Sequence, residues 1–190
     1  MTNWNALLRE QLTAHWDHQV RPRLDGLGDD EYFWEPAPGA WNVRPRGTGT
    51  APVQAGSGAM TIDFAVPEPE PAPVTTIAWR LGHVIVGVLG ARNAAHFGGA
   101  PVDYESFTYA ATAAEALTQL DAEHAAWSAG VEALGEEGLL RPVGAAEGSY
   151  ADAPYATLVL HIQREVIHHL AEVALLRDLH AQRADGTTAR

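Results

Sequence analysis

The chain has 190 residues, 46% hydrophobic and 19% charged, which suits one domain with a sizeable core and argues against wholesale disorder. Asp and Glu number 24 against 12 Lys plus Arg, a formal charge of -12 with no basic stripe to interrupt it, so a phosphate backbone is not an expected partner. There are no cysteines, which removes disulfides, thiolate metal ligands and a protein thiol nucleophile.

The N-terminus, Met1-Thr-Asn-Trp-Asn, has no basic segment leading into an apolar run, so no leader is expected and the expected location is cytoplasmic. Leu7, Leu8, Leu12 and Trp16 then recur at helical spacing and predict a first helix over 4–24, loosened at Pro22. A short helical turn is expected over 29–34. The stretch 47–73 is crowded with Gly47, Gly49, Gly56 and Gly58, then Pro67, Pro69, Pro71 and Pro73, and reads as a long Gly/Pro-rich loop insertion. Within it, residues 61–66 alternate enough for one short extended piece.

A second helix is predicted over 75–97, stopped by Gly98-Gly99. Its segment 77–91 is nearly all apolar, but Arg80 and His83 interrupt it and it is too short to span a bilayer. No membrane association is expected. Thr112-Ala-Ala-Glu115 has the form of a capping box and opens a third helix that should end near Leu134-Gly135. The fourth helix should start after Asp152, with Pro154 in its first turn, and run to about 183. Residues 184–190 read as a frayed tail. Four such helices make an all-α four-helix bundle the expected fold, as one domain over 1–190.

Nine histidines are present, and the fourth helix carries the informative ones. Leu158, Ile162, Val166, Val173 and Leu176 define its apolar stripe at about 100° per residue. His169 falls inside that stripe and Glu165, one turn earlier, at its margin; His168 falls about 100° away, toward the polar side. A carboxylate and an imidazole facing a core are costly unless compensated, and a divalent cation holds the one ionised and the other neutral. His83, the lone imidazole in the apolar part of the second helix, is the candidate third ligand, with Gly82 beside it permitting close approach. Two His and one carboxylate leave coordination positions open, as catalytic sites do. Each residue also has a plain alternative: His83 as a core histidine satisfied by a carbonyl, Glu165 and His169 as partners of Arg164 or a neighbouring helix.

The residues carrying these features resemble the DinB/YfiT-like superfamily of metal-binding four-helix bundles, in its actinobacterial branch. The resemblance lies in Leu8-Arg-Glu-Gln11-Leu12-Thr-Ala-His15-Trp16-Asp17-His18-Gln19, Glu31-Tyr-Phe-Trp34-Glu35-Pro36, Pro38-Gly39-Ala-Trp41, Thr76-Ile-Ala-Trp79-Arg80-Leu81-Gly82-His83 and Arg164-Glu165-Val-Ile-His168-His169 followed by Glu172. It implies one His from the second helix and a His-x-x-x-His pair from the fourth. His83 and His169 match, and Glu165 departs from the commonest pattern in the way the related mycothiol-dependent maleylpyruvate isomerases do. The resemblance also implies a thiol-dependent S-transferase or isomerase, with a small thiol such as mycothiol and an electrophile as its partners, and a homodimer. The expected cofactor is one divalent metal, zinc first, with nickel or iron as alternatives.

Further residues keep two readings each. His15 and His18 either line the metal pocket or occupy a polar helix face. Trp34 and Trp41 either wall a substrate pocket or pack a loop; Arg44 and Arg46 either grip a carboxylate or stay solvated. Glu172, one turn beyond His169, either orients a ligand or is an exposed charge. Three rival functions remain. Glu165-x-x-His168 with Asp121-x-x-His124 sketches a di-iron carboxylate site. The same three ligands suit Fe(II) and oxygen chemistry. A non-enzymatic, metal-stabilised stress or ligand-binding bundle is the third.

Overall fold

A computed structural model describes residues 2–186, with side chains described through Arg183. Four long helical rods carry the fold. The first runs without a break from α1 (Trp4–His15) through a π-helical segment (Trp16–Val20) into α2 (Arg21–Leu24). The second joins α4 (Ile77–His83), a π-helical segment (Val84–Gly90) and α5 (Ala91–Phe97), and ends at Gly98 with a φ of 74°. The third is α6 (Ala113–Leu139) and the fourth α7 (Tyr155–Gly186). A short α3 (Asp29–Tyr32) and a 3-10 segment (Ala145–Tyr150) sit in the connections.

The sequence marks these starts and stops through their chemistry. Asn3 caps α1 by accepting from the Ala6 N–H, and Thr76 caps α4 by accepting from Trp79. Thr112 accepts from the Glu115 N–H, while the Glu115 carboxylate accepts from Ala111, one residue outside the usual capping box. The third rod overruns its expected end at Gly135. That residue takes φ 59° and ψ -174°, a conformation open to glycine, and the helix kinks there and resumes to Leu139. Pro154 lies just before α7 rather than inside its first turn. The fourth rod is helical through Gly186, past the expected start of a frayed tail at 184, and residues 187–190 lie outside the described residues.

The expected all-α class needs one correction. Part of the Gly/Pro-rich stretch and the residues before it form a three-stranded antiparallel sheet, β1 (Val43–Pro45), β2 (Val53–Ala55) and β3 (Met60–Phe64), in the order β1-β3-β2. Val43 faces Ile62 on one side and Ala55 faces it on the other. Ile62 is fully buried, so this central strand joins the sheet to the helical core. Buried Asp63 holds the arrangement: its Oδ2 accepts from the Asn42 backbone N–H at 3.0 Å and from Arg44 Nε at 2.9 Å, and its Oδ1 accepts from Gln54.

The rods pack side by side, α1 on α6 and α7, α4 on α6 and α7, and α5 on α6. Trp127, Leu120, Leu81, Ile85, Ile162 and Val166 are sealed between them, each burial worth about 1.5–3 kcal/mol for a large apolar side chain. Leu158, Ile162, Val166, Val173 and Leu176 are all buried, as the stripe on the fourth helix requires. Among the described residues, no helix is long and apolar enough to cross a membrane.

Candidate metal centre

His83 is the last residue of α4, where the second rod passes into its π-helical segment. The helix is fixed at its start by a bridge between Trp41 and Thr75, with the Trp41 N–H donating to Val74 O and the Thr76 N–H to Trp41 O, both at 2.9 Å. The wider turn ahead of it is closed by the Ala91 N–H donating to Val86 O, five residues back. The imidazole lies nearly parallel to Trp79, ring centroids 5.4 Å apart, and meets His169 edge-on at 4.7 Å. Its Nδ1 is 2.6 Å from the Tyr104 hydroxyl. Burial, reinforced by His169 and Arg80, pushes its pKa down to about 4. The ring is therefore neutral at neutral pH, the form that ligates a metal.

His169 is buried on α7. Its Nδ1 lies 3.0 Å from Glu172 Oε2. An ionised carboxylate only accepts, so in this contact Nδ1–H is the donor and Nε2 of the neutral ring keeps its lone pair, while Arg80 Nη1, a donor, stands farther from the same nitrogen at 3.4 Å. Arg80 Nη1 completes the arrangement, 3.1 Å from the same Glu172 oxygen. For His83, donation of Nδ1–H to the Tyr104 oxygen leaves Nε2 free in the same way, and that Nε2 makes no hydrogen bond among the described residues. Glu165 supplies the third group. Its Oε2 is 3.6 Å from His169 Nε2, its Oε1 is 3.5 Å from His161 Nδ1, and it accepts no hydrogen bond among the described residues. A half-buried carboxylate beside two imidazoles, with no hydrogen-bond donor of its own, suits a divalent cation well.

A second group overlaps this one. The ligand atoms of His168, His169 and Glu172 all lie within 4.8 Å of one another, the spacing a shared ion needs, whereas those of His83, Glu165 and His169 are not all brought that close. His168 points outward, its side chain 63% exposed, with Nε2 3.6 Å from Glu172 Oε1. The two groups share His169 and differ in their other members: His83 and Glu165 inside, His168 and Glu172 toward solvent. Glu172 is thus neither a free surface charge nor remote. It is fixed between Arg80 and both histidines.

The remaining sequence candidates are placed elsewhere. Trp41 is buried in an aromatic cluster with Phe64 and Trp79, both at 5.9 Å, behind the wall that carries His83. Arg44 spends its donors inside the protein, on Glu35, Asp63 and the Ala40 carbonyl, and Arg46 spends its own on the carbonyls of Gly56 and Gly58. All three nitrogens of Arg44 are thus engaged, and both arginines tie the strands of the sheet. His18 is exposed on the first rod and joins none of the groups above. His124 stacks on Trp16 at 3.7 Å and Asp121 pairs with Arg21, so the second half of a di-iron site is committed to other contacts. Tyr104 and Arg80 touch the histidines although neither stood out in the sequence. Tyr104 lies in the irregular connection between the second and third rods, where spacing carries no signal. Arg80 three residues before His83, and Glu172 three after His169, form a pairing that helical geometry could have suggested.

No curated protein and no solved structure matches the chain significantly. A family model for the DinB superfamily matches residues 52–173, from the second strand into the fourth rod as far as the turn after His169. With that match spanning well over half its length, and with a His/Glu cluster suited to a metal ion in the matched region, the chain belongs to the DinB superfamily.

Proposed function

We propose that the chain is a divalent-metal-dependent enzyme of the thiol S-transferase or isomerase kind, built as a single DinB-like four-helix bundle. His83, Glu165 and His169 are the ligands, with zinc as the first choice and nickel or iron as alternatives. When bound, the ion supplies Lewis acidity that makes a thiolate or hydroxide available near neutral pH. The observation that carries this reading is the pairing of the two imidazoles. Each has its Nδ1 engaged, by Tyr104 and by Glu172, and the rings meet edge-on at 4.7 Å beside a carboxylate that accepts no hydrogen bond among the described residues.

The protein's own residues do three things in this scheme. Tyr104 and Glu172 hold the two rings through their Nδ1 atoms, so that both Nε2 atoms are left to face an ion. Burial keeps His83 unprotonated well below neutrality. Trp79, stacked on His83, presents one apolar wall. Because the chain has no cysteine, the sulfur arrives with a small mycothiol-like cosubstrate and reacts with a second, electrophilic substrate. A cytoplasmic homodimer is the accompanying proposal, from the family alone.

The spacing of His168, His169 and Glu172 favours a second reading. In it the ion sits at the surface, and the protein is a metal-stabilised binding bundle without catalysis. Alkylation of N-acetylcysteine and of a cysteinyl amino-sugar thiol by a bimane electrophile, followed against pH, separates the two. Zinc-loaded protein should move the midpoint of the rate profile from about 8.5, the free thiol value, to near 7, and His169→Ala should abolish the shift. A profile identical to that of the free thiols would contradict the enzymatic reading.

A further inference from the structure

A cavity of about 770 Å³ opens between the first half of α7, the 3-10 segment and α5. That volume suits a small organic ligand. Its floor and walls are mainly apolar, from Val143, Ala153 and Leu158, and two large apolar side chains at its edge, Tyr150 and Leu160, are exposed. Exposed apolar surface beside a concavity is surface that a ligand can bury.

The polar lining has a definite charge. Arg92, Arg164 and His161 line the cavity together with Glu147. Glu147 is already held, by His96 at 2.9 Å and by Arg92 at 3.5 Å, so its charge is matched by Arg92. Arg164 is different. Its contacts to His161 Nδ1 at 2.7 Å and Glu165 at 3.6 Å both run through Nη2, and its Nε and Nη1 bond to nothing among the described residues. On a chain of net charge -12, the cavity thus carries a guanidinium that meets Glu165 through one nitrogen only and keeps two N–H groups open toward the solvent side. The open N–H groups and the positive charge suit a monoanion such as a carboxylate, which accepts from them through one oxygen at a time.

The cavity and the candidate metal centre share the fourth rod and meet at one side chain. His161 lines it, and the same ring stands 3.5 Å from Glu165 Oε1. His161, Glu165 and His169 follow one another at single-turn intervals along α7, so the cavity's His161 edge lies one turn from the first carboxylate of the cluster.

We infer that this cavity seats the second substrate, and that this substrate is a mostly apolar monocarboxylate whose carboxylate rests on Arg164. Its role as the electrophile rests on the function proposed above; its binding does not.

Calorimetric titration of the full chain with octanoate, octanamide and inorganic phosphate tests it. Octanoate should bind at a single saturable site, about tenfold tighter than octanamide, and phosphate should not displace it. Arg164→Gln, at a side chain 69% exposed and outside the core, should weaken octanoate about tenfold and leave octanamide unchanged. Leu160→Ser should weaken both. Equal binding of octanoate and octanamide, indifference to Arg164→Gln, or equal competition by phosphate would each overturn the assignment. The same titration on His169→Ala and on chelator-treated protein keeps this test separate from the metal. Octanoate binding that survives there while metal is lost supports the cavity on its own, and normal metal binding with no octanoate site would refute the cavity alone.

Discussion

Replacing Glu172 with Gln swaps the carboxylate at His169 Nδ1 for an amide that can turn either its oxygen or its NH2 toward the ring. The Arg80–Glu172 pair at 3.1 Å is lost as well, and the tautomer of His169 is no longer dictated. Losses of this kind weaken metal binding by about 10–100-fold, and a competitive zinc titration of Glu172→Gln should fall in that range; unchanged affinity would show that the carboxylate has no part in orienting the ring. A different histidine governs acid stability. His124 lies flat on Trp16, its Nε2 is buried without a partner, and burial drives its pKa from 6.5 to about 4, against the opposing pull of Asp17 and Asp121. The unfolded chain therefore takes up a proton between these values that the folded chain refuses. The stabilisation is complete above 6.5 and fades as pH falls through 4. Urea unfolding near pH 7 and pH 4.5 should show His124→Phe losing about 1–2 kcal/mol less than the parent over that interval, an allowance that includes the residue's partial exposure. Equal losses would place the acid sensitivity elsewhere.

Among the elements, the second rod has the tightest tolerances. Gly87 lies one turn beyond His83 in the π-helical segment, and a methyl group there would overlap the Tyr104 hydroxyl and come within 3.3 Å of His83 Nδ1. Gly87→Ala should displace the phenol and weaken metal binding several-fold while the helix itself gains propensity. Measured affinity equal to that of the parent would mean that Tyr104 does not hold His83. The same contrast between local and long-range causes explains what the sequence could reveal. The rods are legible because periodicity and capping residues are written into consecutive positions: Thr112 accepts the Glu115 N–H that its spacing predicts, and the second rod, expected from 75, starts at Ile77 behind its cap Thr76. The sheet is not. Val53–Ala55 is three residues long, and its pairing with Met60–Phe64 depends on Asp63 and Arg44 meeting across the strands, so only the extended character near 61–66 showed locally. The end of the third rod was misplaced because a glycine that usually stops a helix here only kinks it.

For the molecule as a whole, the acidic balance concentrates cations near the protein, and α7 offers an ion two overlapping groups around His169. The fourth-helix pair and the lone imidazole of the second were visible in the sequence because helical spacing alone places Glu165 beside His169. The partners that give those rings their direction were harder to see, since Tyr104 reaches in from an irregular connection and Arg80 matters only once α4 lies on α7. The choice between the inner and outer group decides whether an ion can work on a substrate inside the protein. Zinc content and affinity of His83→Ala against His168→Ala, by mass spectrometry and competitive titration, tests this choice most directly. The parent should hold one ion per chain, His83→Ala should lose about 100-fold or more in affinity, and His168→Ala should bind nearly unchanged. Retained binding in His83→Ala, with loss in His168→Ala, would contradict the assignment to the inner group.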